Sequence, residues 1–167
     1  GSANSIIGTG VTVDVTTPTL SNVSIATNGT GNASDGDTIT LTFTASETIS
    51  TPTVVIKDGD NNNMGNNVST TSSGNDWTST VVVANDDGNG TVSFTINFTD
   101  SAGNAGAEVD AVSGTGAGTS VTIDNTHPNV LTNVTIATNG TGNASDGDTI
   151  TLTFTAPETI IPTVVIK

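Results

Sequence analysis

Two runs of this chain alternate residue by residue between apolar and polar side chains. In DTITLTFTA, Ile39, Leu41 and Phe43 alternate with Thr38, Thr40, Thr42 and Thr44. In TVSFTINFT, Val92, Phe94, Ile96 and Phe98 alternate with Ser93, Thr95, Asn97 and Thr99. A period of two sends successive side chains to opposite faces of a pleated strand, so each run has one apolar face and one polar face. No stretch keeps a helical period. The expectation is an all-β fold of half-buried strands.

Turn residues divide the chain further. Strands are expected at 20–26, 38–45, 53–57, 67–72, 77–83 and 91–99, with a broken one through 107–111 and 119–124. Clusters such as NGTGNASDGD, DGDNNNMGNN and NDDGNG separate them. About seven short strands in about 110 residues, with one alternating apolar face, match an immunoglobulin-like antiparallel β-sandwich. Trp77, the sole tryptophan, is expected as an anchor in the core or at its edge.

The segment TNGTGNASDGDTITLTFTA at 27–45 returns letter for letter at 138–156. The spacing of the two copies is that of a whole domain and not of a solenoid unit. Residues 127–167 repeat the first three strands, and SIIGTGVTVDVTTP at 5–18 parallels SGTGAGTSVTIDNTHP at 113–128. The expected organisation is a tandem repeat with the second copy truncated. Residues 1–15 are the last strand of a preceding repeat plus a linker, 16–125 a complete domain, and 126–167 the first three strands of the next.

Sixteen acidic residues face two lysines and no arginine, for a formal net charge of −14. Phosphate backbones need Lys and Arg, so nucleic acid is excluded as a partner, and an anionic membrane surface would repel the chain. No apolar run is long enough for a membrane span. Cysteine is absent, which excludes disulfides and thiolate metal sites. The acids lie mostly beside Gly or Asn, a pattern that fits turns or hard-cation ligands better than an acidic tail.

The signposts SDGDTITLTFTASETI, PTVVI, WTSTVVV, NGTVSFTINFTDSAGNAG and SVTIDNTHP resemble the Ig-like tandem repeats of giant bacterial surface adhesins, including RTX-like adhesins secreted by type I systems. The resemblance covers essentially the whole chain after residue 10. It implies a stalk of many near-identical domains at the bacterial cell surface, with calcium often held at domain junctions.

An up-and-down strand path groups the acids by pole. The loop with Glu47, the loop with Asp100 and Asn104, and the incoming linker with Asp14 fall at one pole. They supply the carboxylate and amide oxygens that Ca²⁺ takes in sets of six to eight. Asp124, Asn125 and Glu158 would repeat the plan at the next junction. Asp35 and Asp37, with Asp86 and Asp87, lie at the opposite pole and could add ligands from there. Asp and Asn also favour turns on their own account. The run DGDNNNMG at 58–65 begins like an EF-hand loop but has Ser69 where the twelfth-position Glu belongs, and reads as a hairpin loop.

Catalytic chemistry has little to stand on. His127, the only histidine, precedes Pro128 in a linker, and Glu47 and Glu158 are equivalents in different copies and not an acid–base pair. The chain is therefore expected not to be an enzyme. A structural spacer in an extracellular adhesin stalk is the leading expectation. The alternative is a carbohydrate- or protein-binding Ig-like module acting through the loops of one pole. The expected partners are neighbouring repeats of the same protein, with strand exchange through 127–167 or pairing with the segment at 5–15 as a way of covering the second copy.

Overall fold

The alternating runs become strands because each can bury one face only against a second layer. In the computed structural model, which describes residues 13–65, 68–114, 118–128, 130–157 and 160–166, the chain is all-β and sandwich-like. Its sheets are antiparallel, and no α-helix occurs among the described residues. No helix there is long and apolar enough to cross a membrane. The chain divides into two compact units, Gly1–Asn125 and Thr126–Lys167.

The first unit holds β1 (Leu20–Thr27), β2 (Thr38–Ala45), β3 (Thr53–Lys57), β4 (Ser69–Ser73), β5 (Asp76–Val82), β6 (Gly90–Thr91), β7 (Ser93–Asn97) and β8 (Thr122–Ile123). One sheet has the order β1-β2-β5-β4, and β3 pairs with β7 in another. Central β2 buries Ile39, Leu41, Phe43 and Ala45 and leaves its threonines half-covered. These meet Ile56 of β3 and Phe94 and Ile96 of β7 in a single core. Each such side chain contributes roughly 1.5–3 kcal/mol. Trp77 on β5 is buried and stacks on Phe43, with ring centroids 6.4 Å apart and planes 6° from parallel, so it is a core anchor.

Two expectations need correcting. The run 91–99 is not one strand: it changes partner at Val92, whose N–H donates to Val121 O at 2.9 Å. On one side β6 pairs with β8, and on the other β7 pairs with β3. The broken last strand follows from this. Val109 exchanges both backbone bonds with Ile96, at 2.8 and 3.1 Å, while 122–123 serve β6. The partner change falls beside a close approach of two loops. A Cβ on Gly59 would lie 2.2 Å from Asn89 O, and Gly90 adopts φ 134°, a conformation that glycine alone enters without strain.

The second unit contains β9 (Thr132–Thr138) and β10 (Ile150–Thr155), paired antiparallel. Its register copies the first hairpin: Ile25 faces Leu41 and Ile136 faces Leu152, while Thr27 faces Ile39 and Thr138 faces Ile150. The bulge recurs too, with Asn22 at φ 52° and Asn133 at φ 50°. The expected third strand of this copy does not form. PTVVI at 52–56 enters β3, whereas the same letters at 162–166 are in no strand. The reason is that β3 is held by β7, a strand of the other layer, and the described residues of the second unit include no counterpart of it.

Candidate functional site

The chain following Asp14 is lashed to the loop after β2. Thr19 N donates to Ser46 Oγ at 3.0 Å, and Ser46 N donates to Thr19 O at 2.9 Å. That loop is fixed in turn to the turn after β7. Ile49 forms a backbone bridge with Asp100, and Ser50 N donates to Thr99 O at 2.8 Å. The result brings one carboxylate oxygen each from Asp14, Glu47 and Asp100 to within 4.8 Å of one another. Asp14 is exposed, Glu47 half-buried and Asp100 buried.

Asp100 is the fixed point of the group. Its Oδ1 accepts Ala102 N at 2.9 Å and Asn104 N at 2.8 Å, and its Oδ2 accepts Asn104 Nδ2 at 2.8 Å. The Asn104 side-chain bond, aided by the backbone N–H groups of Asn104, Ala102 and Gly103 and opposed by burial, holds the Asp100 carboxyl below its ordinary value. Asn104 Nδ2 also donates to Asp14 O at 3.1 Å. Asn104 thus spans the linker and the loop, as the pole argument from sequence requires.

No lysine reaches this group among the described residues. Lys57 faces Ser93, at the opposite end of the β3–β7 pair from Asn97, and its Nζ donates to Asn61 Oδ1 at 3.2 Å. The donor set is therefore three carboxylates without a side-chain counter-charge, a hard-oxygen set. Two ligands on opposite sides of a Ca²⁺ ion stand about 5 Å apart, whereas opposite Mg²⁺ ligands stand only about 4 Å apart. The observed spacing fits the larger ion without rearrangement.

The other sequence-derived candidates are not gathered in this way. Asp37 Oδ2 closes its own turn by accepting Ser34 N at 2.8 Å and Ser34 Oγ at 3.1 Å. Asp87 Oδ2 accepts Ala84 N at 2.7 Å. The Asn125 amide is a clamp: Oδ1 accepts Asp35 N at 2.8 Å, and Nδ2 donates to Ala84 O at 2.9 Å and Asp87 O at 3.0 Å. Asp35, Asp86 and Asp124 join no carboxylate cluster among the described residues. Glu158 lies outside the described residues, as does the segment 5–12.

Sequence reasoning missed Asp58. Its buried carboxylate accepts Asp60 N at 3.0 Å and Asn62 N at 2.8 Å on Oδ1, and Asn62 Nδ2 at 3.4 Å and Gly88 N at 2.8 Å on Oδ2. The Asp58–Asn62 spacing equals that of Asp100 and Asn104, and both pairs make the same bonds. That Asp-x-x-x-Asn spacing was the available signal. The loops diverge at one point: Asp58 is completed by Gly88, whereas Asp100 faces Asp14 and Glu47.

No family model, no curated protein and no solved structure matches this chain.

Proposed function

We propose that the chain is a spacer segment of a large extracellular bacterial adhesin, built of immunoglobulin-like tandem repeats and stiffened by Ca²⁺ where the linker enters the domain. The observation that carries this reading is the meeting of Asp14, from the segment ahead of β1, with Glu47 and Asp100 from two loops of the domain. An ion shared by the three would tie the direction of the linker to the domain body, which is what a stalk that must hold its reach requires. Without a cation the carboxylates repel; two unit charges about 4 Å apart near a protein surface cost about 4 kcal/mol before salt screening.

Further observations support the reading. The order β1-β2-β5-β4 in one sheet, with β3 beside β7 in the other, matches the seven-strand immunoglobulin arrangement. The hairpin recurs in register in the second unit, as a repeat demands. Phe43, Trp77, Phe94 and Phe98 are all buried, so the first unit presents no aromatic platform for a sugar. That favours the spacer over a loop-based binding module, and no residue is assigned a catalytic role.

Melting in EDTA and in about 10 mM CaCl₂ tests the calcium site. Extracellular sites of this class bind at roughly 10⁻⁴–10⁻³ M, so about 10 mM Ca²⁺ should add about 1–3 kcal/mol by mass action. Glu47→Gln should abolish most of that response and leave the EDTA melting temperature unchanged or raised. Identical melting and identical scattering dimensions in the two buffers would remove calcium from the proposal. Glycan and peptide screens check the spacer role and should stay blank. Binding tighter than about 10 μM, equivalent to about 7 kcal/mol, and lost on altering the loops of one pole, would replace it with the binding module.

A further inference from the structure

The second unit repeats the letters of β1 and β2 but not their surroundings. In the first unit β2 has two neighbours, β1 and β5. In the second, β10 pairs only with β9 among the described residues, so the edge that β2 gives to β5 is open on β10. The apolar face is open as well. Val23, Ile25 and Ile39 are 2%, 2% and 0% exposed, whereas their equivalents Val134, Ile136 and Ile150 are 57%, 64% and 44% exposed. An apolar trough of about 530 Å³, bordered by Leu131, Val134, Leu152, Phe154, Ile160 and Val164, runs along this face.

The occupant of such a face is already on display in this chain. β5 pairs with β2 in the register Ile39–Val81, Leu41–Ser79 and Phe43–Trp77, and Trp77 stacks on Phe43. Because 138–156 is identical to 27–45, and the β9–β10 register copies β1–β2, the same pairing transfers without change of geometry. Ile150 would face a valine equivalent to Val81, Leu152 a serine equivalent to Ser79, and Phe154 a tryptophan equivalent to Trp77. An exposed edge that offers backbone hydrogen bonds, with a pocket for alternate side chains, is the setting for strand addition.

We propose that the open edge of β10 and the apolar face of the β9–β10 hairpin form a docking site for one antiparallel strand of the β5 sequence type, DWTSTVV, supplied by a polypeptide segment not already paired to a β2 of its own. A second folded copy of this chain is not that partner. Each copy has one β5 and two hairpins that fit it, so exchange between copies uncovers one hairpin for every one it covers and gains no buried surface. The partner must bring an unpaired β5-type strand, with Trp and Val on one face and Ser and Thr on the other.

A fluorescein-labelled peptide of residues 74–84 (GNDWTSTVVVA), titrated against the intact chain, tests this. The expected result is saturable binding at one peptide per chain, since β2 is already occupied by its own β5. Amide perturbations should centre on Thr149–Thr155 and spare Thr38–Thr44. Trp77→Ala in the peptide, which cannot disturb the folding of the protein, should weaken binding about tenfold or more. Phe154→Ala in the protein should do the same. Three results would overturn the proposal: no saturation, equal binding of a scrambled peptide, or a chain dimer in light scattering that the peptide leaves intact, which would give the face to a second copy.

Discussion

Phe43→Ala should cost the first unit about 3–5 kcal/mol, the usual loss when a fully buried aromatic side chain is removed from a core. The corresponding Phe154→Ala should cost the same chain less than about 1 kcal/mol. The two phenylalanines occupy equivalent positions in identical segments, so local sequence cannot separate them. What separates them is cover. Phe43 is buried among the core residues and stacks on Trp77, while Phe154 is only half-buried. Domains of this size have about 5–15 kcal/mol of stability in total, so the first substitution brings the unit close to unfolding at moderate temperature. Urea unfolding followed by the fluorescence of Trp77 is the measurement, because the only tryptophan reports on Phe43 directly. Equal midpoint shifts for the two variants would show that the second hairpin is buried in solution, contrary to the exposure described above.

Asp58→Asn is expected to destabilise the first unit by about 2–4 kcal/mol. Asp58 is 4% exposed, and its carboxylate accepts bonds from four N–H groups on Asp60, Asn62 and Gly88. An amide keeps one acceptor oxygen and turns an NH₂ toward donors, so at least one buried N–H loses its partner at about 1–3 kcal/mol, and the charge-assisted bonds weaken as well. The damage spreads because this loop interlocks with residues 86–90. Gly59 N donates to Gly88 O at 3.0 Å, and a Cβ on Gly88 would lie 2.5 Å from Asp60 Oδ2.

The same site sets a pH dependence. Burial of Asp58 opposes ionisation, but the donors from Gly88, Asn62 and Asp60 outweigh it and hold the folded carboxyl below the ordinary value of 3.8. A group whose pKa is lower when folded contributes its full stability above the unfolded value. That contribution is lost as pH falls through the lowered one. Wild-type stability should therefore drop below about pH 4, and Asp58→Asn should flatten that part of the drop. Urea midpoints at pH 7, together with an acid titration of both proteins, check this. A variant within about 0.5 kcal/mol of wild type would mean that the loop is held by its backbone alone.

Much of the architecture was legible in the sequence, and the exceptions have a common cause. The expected strand at 53–57 is β3, and that at 38–45 is β2, because apolar alternation and the flanking turns act locally. The meeting of Asp14, Glu47, Asp100 and Asn104 followed from strand direction alone, since an up-and-down path puts alternate loops at the same pole. The partner change at Val92 was not legible, because it depends on where 109 and 121–123 are placed. Nor was the burial of Asp58, which needs Gly88 thirty residues away.

The two copies divide local from tertiary causes. In both, the loop closes by the same bonds. Thr38 N donates to Asn28 Oδ1 at 2.7 Å and Thr149 N to Asn139 Oδ1 at 2.8 Å. Ser34 N donates to Asp37 Oδ2 and Ser145 N to Asp148 Oδ2, each at 2.8 Å. The sequence by itself determined these turns, the bulge and the hairpin register, because side chains within about ten residues satisfy the backbone on the spot. It did not determine burial, or whether PTVVI is a strand. Those were decided by β5 and β7, since an apolar face gains stability only when another layer removes it from water, and a lone strand has no partner for its backbone N–H and C=O groups.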